Sequence, residues 1–228
     1  MAYTKKFIVL HWPVFVISAI TLILAFLNYQ PGTWLTGWDN LHPELNFPLY
    51  FQRYFNSTWL EYRGPGLLAG MAESADLPRL LLLYLSSFFI PLHFLRYFLT
   101  FLTLTLGPFG TYYLAKNTLL SIHRLSSQDK RLAAFFAGLF YLLNLGTLQT
   151  FYIPFETFTW FYAVLPWLLY LTIIYLNHPT RKNFIFLTLT LLFSAPAFYV
   201  QTLFLVFLIT LIPFFLPLLR GRPRGGLL

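Results

Sequence analysis

Long apolar runs separated by short polar segments make up most of the 228-residue chain. A helix needs about 20 mostly apolar residues to cross a bilayer. Runs of this length predict about six transmembrane helices, at 7–27, 97–115, 132–151, 158–176 and two in 183–219, divided at Ser194-Ala195-Pro196. The second span could begin nearer Leu92, with Arg96 extending to the membrane surface. The expected fold class is therefore all-α, a polytopic membrane helical bundle that forms a single membrane domain over residues 1–228.

The longest mixed segment, residues 28–91, is expected to be the first extracytoplasmic loop. Within it, residues 80–90 are apolar but too short to span, and Pro91 ends the run. That length is typical of an interfacial or re-entrant helix. The abrupt basic tail at 220–226 leads us to expect the N-terminal fragment of a longer protein.

Composition supports a membrane protein. Hydrophobic residues are 58% of the chain and charged residues only 10%, with a mean hydropathy of +0.66. Soluble domains carry about 25% charged residues. The chain has no cysteine, which excludes disulfides and thiolate metal sites. The net charge of +8 comes from short basic clusters between apolar runs rather than from one patch, so no nucleic-acid partner is expected.

The distribution of Lys and Arg predicts the orientation, because short cytoplasmic loops are enriched in these residues. With the N-terminus in the cytoplasm, eleven basic residues fall inside: Lys5, Lys6, Lys116, Arg124, Lys130, Arg131, Arg181, Lys182, Arg220, Arg222 and Arg224. The opposite side holds Arg53, Arg63 and Arg79, with Arg96 near the boundary. Six of the seven acidic residues fall on that outer side, which makes it the expected place for chemistry.

One short acidic run stands out in the first outer loop. Residues 37–44 read Gly-Trp-Asp-Asn-Leu-His-Pro-Glu, and they contain Asp39, His42 and Glu44. Asp39 could act as a general base or hold a divalent cation, Mg²⁺ or Mn²⁺. It could also cap a helix that starts near Asn40. His42 is equally well explained as a hydrogen-bonding surface residue.

A second acidic candidate, Glu156, lies in the short outer turn between the third and fourth spans. It could join Asp39 on the same membrane face, or lie near a helix N-terminus and interact favourably with the helix dipole. Among the outer arginines, Arg53 and Arg63 are candidates for binding phosphate, which suits the planar donor fork of Arg. Local pairing with Glu61, Glu73 or Asp76 is expected for at least one outer arginine.

The acidic run, followed by Asp76-Leu77-Pro78-Arg79, resembles the N-terminal module of large bacterial C-type (GT-C) membrane glycosyltransferases. The large bacterial members that it resembles include arabinofuranosyltransferase-like and YfhO-like proteins. In that superfamily the first outer loop carries a key acidic residue and short helices along the membrane. Asp39 and residues 77–90 occupy the corresponding places. Further acidic residues often lie in the next outer loop, where Glu156 falls.

The resemblance implies transfer of a sugar from a polyprenyl-phosphate donor to a glycan or lipid acceptor, on the outer face of a bacterial plasma membrane. Asp39 would be the base, with Glu156 beside it. His42, Glu44, Arg53 and Arg63 would bind the substrates. Two alternatives remain open: a transporter or flippase of lipid-linked glycans, and a non-catalytic membrane assembly subunit.

Overall fold

The computed structural model describes residues 2–35, 45–56, 59, 66, 74–119 and 126–219, and all regular structure within them is helical. Within these ranges, ten α-helices and one short π-helix follow one another. They are α1 (Ala2–Asn28), α2 (Phe47–Phe55), α3 (Leu77–Ser86), α4 (Leu92–Leu114), the π-helix (Ala115–Leu119), α5 (Ser127–Leu143), α6 (Leu145–Tyr152), α7 (Glu156–Asn177), α8 (Arg181–Phe193), α9 (Ala195–Phe198) and α10 (Gln201–Leu219). The all-α prediction is therefore confirmed for the described residues.

Two of these helices are long and apolar enough to cross a membrane: α1, over His11–Asn28, and α7. A third crossing results if α5 and α6, which meet at a 42° bend, act as one span. In the described part of the chain, α4 has the length to cross, but Arg96 and several polar residues lower its hydropathy, and α8 has only 13 residues. The remaining spans of the six expected stay predictions.

The two ends of the bundle are distinct. We call the end at which α1 finishes and α4 and α7 begin the loop end. The opposite end, where α4 finishes and α5 and α8 begin, is called the basic end. Large apolar side chains between the two ends are exposed, for example Phe26 (82%), Phe140 (75%) and Leu145 (83%). Such exposed apolar surface is typical of contact with lipid or with another apolar partner.

The most extensive helix contact joins α4 to α7. It is close because glycines on α4 leave room for bulky side chains of α7. A methyl group built on Gly107 would come within 2.4 Å of Tyr162, and one on Gly110 within 2.9 Å of Pro166 and Trp167. The Trp167 indole nitrogen also donates a hydrogen bond to the Leu106 carbonyl, at 2.9 Å. This pair of helices is the centre around which the other helices pack.

Two buried clusters hold the remaining helices to that centre. Near the basic end, Ile17 of α1, Tyr112 of α4 and Phe135 of α5 pack together. Near the loop end, α2, α3, α4, α7 and α9 share a cluster that contains Tyr50, Leu80, Leu95, Trp160 and Ala197. The second cluster fixes the two short helices of the first loop against the bundle.

The helix α3 confirms that residues 80–90 are too short to span. It has ten residues and begins at Leu77, earlier than expected. Its orientation along a membrane surface remains a prediction. The predicted break at Ser194-Ala195-Pro196 is confirmed, because α8 ends at Phe193 and the chain turns through the short α9 before α10 begins.

Candidate functional site at the loop end

A cavity of about 530 Å³ opens at the loop end, between α1, α4 and the α5–α6 bend. Ligand sites commonly have volumes of about 300–1,000 Å³. Most of its wall is apolar, and its lining includes Leu24, Phe101, Leu104, Leu148 and Phe151. Few polar groups reach it, among them Asn28, Tyr97, Thr100 and Asn144. The cavity is therefore suited to an apolar chain whose polar end remains at the loop end.

The first loop leaves the bundle from the wall of this cavity. Leu35 lines the cavity, and Thr33 and Tyr97 share a 2.8 Å hydrogen bond between their hydroxyl groups. Tyr97 also contacts Tyr29 edge-on, with ring centroids 5.1 Å apart. Asp39 follows Leu35 by four residues, a separation of at most about 14 Å for an extended chain. The acidic run therefore follows, in sequence, directly after a residue of the cavity wall.

The bend beside the cavity is built by Asn144. Its side-chain oxygen accepts a hydrogen bond from the Thr147 backbone nitrogen, at 3.0 Å, and so caps α6. Its amide nitrogen donates to the carbonyls of Phe140 and Tyr141, both at 2.9 Å, at the end of α5. One side chain therefore satisfies backbone groups on both sides of the break. The expectation of one continuous span over 132–151 misses this break.

Glu156 is the first residue of α7, where a carboxylate interacts favourably with the helix dipole. It forms an ion pair with Arg96 of α4, and their side chains are only 14% and 8% exposed. The sequence suggested that Arg96 extends to a membrane surface. Instead, its buried partner, Glu156, holds Arg96 between the helices. Glu156 does not line the cavity, although Pro154 does.

A second buried ionic group fastens α2 to α3. Arg79 donates two hydrogen bonds to the Asp76 carboxylate, at 2.8 and 2.7 Å, and a longer one to the Tyr50 hydroxyl, at 3.3 Å. Tyr50 in turn donates to Asp76. All three residues are at most 5% exposed, and burial raises the pKa of Tyr50 well above its usual range. The prediction that an outer arginine pairs locally is confirmed by Asp76 and Arg79.

The structure places two of the six predicted site residues. Arg53 lies in the last turn of α2, half-buried, and Glu156 lies at the start of α7. Asp39, His42, Glu44 and Arg63 lie outside the described residues. Within the described ranges, no three His, Asp or Glu side chains come close enough to hold a metal ion.

Sequence reasoning missed the role of Arg96 and the cavity itself. The Arg96–Glu156 pair joins residues 60 positions apart, and no local pattern predicts such a contact. The cavity depends on the angle between two helices. A signal for that angle was present, because Asn144 precedes Thr147 at N-cap spacing inside an apolar run.

No protein-family model, curated protein or solved structure matches the chain.

Proposed function

We propose that the chain is the catalytic membrane module of a glycosyltransferase that takes its sugar from a polyprenyl-phosphate donor. One observation carries the proposal: the acidic first loop starts from the wall of an apolar cavity at the loop end. A lipid-linked donor needs that combination, an apolar site for its tail beside polar groups for its sugar and phosphate. The acceptor is a glycan or a lipid on the same face of a bacterial plasma membrane.

In the proposed reaction, Asp39 takes the proton of the acceptor hydroxyl. The hydroxyl oxygen bonds to the anomeric carbon while the bond between that carbon and the phosphate oxygen breaks. The polyprenyl phosphate leaves with the bonding electron pair, and Arg53 and Arg63 stabilise its charge. His42 and Glu44 position the sugar, and with Asp39 they are the residues that would hold Mg²⁺ or Mn²⁺.

Glu156 has a narrower role in this proposal than the sequence suggested. Its carboxylate is engaged by Arg96 and lies off the cavity wall, so it is poorly placed to take a proton from an acceptor. We assign it to positioning: the ion pair fixes the start of α7 against α4, and Tyr97, next to Arg96, lines the cavity. Asp39 is then the principal catalytic carboxylate.

The experiment combines a base variant with a cavity variant in the full-length protein. Asp39→Asn should lower transfer from polyprenyl-phosphate monosaccharides by roughly 10²–10⁴-fold, the usual contribution of a general base. Crosslinking to a photoreactive polyprenyl phosphate should be retained. Leu148→Trp places a larger side chain on the cavity wall and should instead reduce crosslinking. The control is Leu189→Trp on α8, at a similarly exposed leucine outside the cavity, and it should not reduce crosslinking.

Undiminished sugar transfer by a folded Asp39→Asn protein would exclude the proposed base. Equal crosslinking in the two tryptophan variants would exclude the cavity as the site of the donor tail. The two parts of the proposal can therefore fail separately.

A transporter of lipid-linked glycans is the second candidate. The observation that favours it is the pair of interrupted helices, α5–α6 at Asn144 and α8–α9 at Ser194. Transporters build substrate sites from broken helices with buried ionisable groups nearby. Movement of lipid-linked sugars across reconstituted vesicles, without transfer to an acceptor, would favour this candidate over the enzyme.

A further inference from the structure

The basic end of the bundle carries a second group of residues that the proposed function does not use. The π-helix ends α4, and its Lys116 ammonium lies over the Tyr112 ring, 5.3 Å from the ring centroid. Arg131 of α5 lies one turn before Ala134 and Phe135, which pack against the same tyrosine. Short π-helical segments are rare and are frequent at functional sites.

The Tyr112 ring gives the Lys116 ammonium a fixed position. Its side chain is 1% exposed and packs in the cluster of Ile17, Ala134 and Phe135. Next to Lys116, the exposed Asn117 is held by a 3.1 Å hydrogen bond from its amide nitrogen to the Tyr170 hydroxyl. The second hydrogen of that amide is a further donor. An ammonium, a guanidinium and an amide therefore lie at the junction of α4, α5 and α7.

An exposed apolar stripe begins beside Arg131 and follows α5 towards the loop end. Its members are spaced to lie on one side of the helix and are 42–75% exposed: Leu132, Phe136, Phe140 and Leu143. A ligand that used both features would have an anionic head and apolar chains about as long as the helix.

We propose that Lys116 and Arg131 bind the phosphate of an anionic phospholipid, whose acyl chains lie along the α5 stripe. The phosphate accepts hydrogen bonds from both cations. The stripe favours a lipid over a free phosphate ion, because a free ion would leave the apolar surface uncovered. The phosphate would lie at the opposite end of the bundle from the cavity, although the stripe ends at Leu143, which lines the cavity, and the lipid site does not depend on the proposed glycosyl transfer.

The test compares two variants that remove the same charge from the basic end. Lys116→Gln/Arg131→Gln removes the proposed ligands, and Arg181→Gln/Lys182→Gln removes two exposed cations at the start of α8. Native mass spectrometry of the purified full-length protein, titrated with phosphatidylglycerol and with phosphatidylcholine, measures the apparent Kd of each lipid.

We expect the first double variant to bind phosphatidylglycerol roughly 30-fold more weakly, about fivefold for each cation near an anionic lipid. Phosphatidylcholine binding should change little. The α8 variant should stay close to wild type. Equal weakening in both double variants would show that net charge alone attracts the lipid and would overturn the site.

Two further measurements separate loss of the site from loss of folding, and a lipid site from a site for free phosphate. If the first double variant fails to fold, Lys116→Gln alone should still weaken phosphatidylglycerol binding by about fivefold, and wild-type affinity in that variant would overturn the proposal. Inorganic phosphate should not displace the lipid at millimolar concentration. Full displacement by inorganic phosphate would show a site for free phosphate instead.

Discussion

At the scale of single residues, the described ionic side chains of the loop end are used mainly to hold helices together. Arg79 and Asp76 form a two-pronged ion pair, and Tyr50 completes the hydrogen bonding of the carboxylate. A buried charge that lost its partner would be strongly destabilising, typically by about 3–5 kcal/mol. The asparagine that caps α2, Asn46, adds a local bond to the Leu49 backbone nitrogen at 3.2 Å. The ionic group therefore fastens α2 to α3, and the asparagine bond caps the start of α2.

Replacing Tyr50 by Phe tests this group with little change in volume. The variant removes the hydroxyl that donates to Asp76 and accepts from Arg79, so buried polar atoms lose a partner. We expect the free energy of unfolding at pH 7 to fall by about 1–3 kcal/mol. Unfolding in detergent measures it. Tyr54→Phe, on the same helix and half-buried, is the control and should stay near wild type.

The effect of Tyr50→Phe on stability should also depend on pH. Burial raises the pKa of Tyr50, so above pH 10 the unfolded chain loses the phenol proton while the folded protein keeps it. The contribution of Tyr50 to the free energy of unfolding is therefore fully present below about pH 10. Above that pH it is lost by about 1.4 kcal/mol per pH unit. The stability difference between wild type and Tyr50→Phe should shrink above pH 10. A constant difference between pH 8 and 11 would contradict it.

At the scale of helices, close packing and interruption serve different purposes. The glycine positions of α4 let α7 approach closely, which makes the α4–α7 contact the rigid centre of the bundle. The break at Asn144 does the opposite. It turns α6 away from the line of α5 by 42°, and residues on both sides of the break line the cavity. The bend at Asn144 therefore forms one wall of the cavity.

Gly110→Ala tests the close contact. Alanine favours a helix over glycine by about 1 kcal/mol, but its methyl group would lie 2.9 Å from Pro166 and Trp167. Overpacking of this kind costs about 1–3 kcal/mol, so a net loss of stability is expected. Trp167→Leu removes the indole part of this contact and leaves Pro166, so the double variant should lose less than the sum of the single losses. If the stability losses of the two single variants, measured by thermal unfolding, simply add in the double variant, the added methyl group does not clash with Trp167.

At the scale of the whole molecule, features set by residues close together in the sequence could be predicted. Features set by residues far apart in the sequence could not. Helix positions could be predicted because apolar runs are continuous: α1 and α7 contain the predicted 7–27 and 158–176. The turn at Ser194 could also be predicted, from Pro196. The pairing of Arg96 with Glu156 could not, because it depends on how two distant helices pack. The cavity could not be predicted for the same reason. Its wall combines residues from Leu24 to Pro154, and no single segment carries its pattern.

The orientation of the whole bundle is the last prediction. Among the residues whose side chains the structure describes, five Lys and Arg lie at the basic end: Lys116, Lys130, Arg131, Arg181 and Lys182. At the loop end, Arg79 and Arg96 are buried in ion pairs, which leaves the half-buried Arg53 as the one other described cation there. The basic end should therefore face the cytoplasm. Because the chain has no cysteine, single cysteines can be labelled without background.

Gln52→Cys on α2 and Gln128→Cys on α5 are a matched pair, since both glutamines are exposed and they lie at opposite ends of the bundle. A membrane-impermeant maleimide should label position 52 in intact cells, and position 128 only after the membrane is permeabilised. The reversed labelling pattern would show the opposite orientation in the membrane, with the cavity and Asp39 on the cytoplasmic side. Labelling of both positions in intact cells would contradict the assignment of the two ends to opposite sides of a membrane. Only the expected pattern places the acidic loop on the side where the proposed lipid-linked donor would present its sugar.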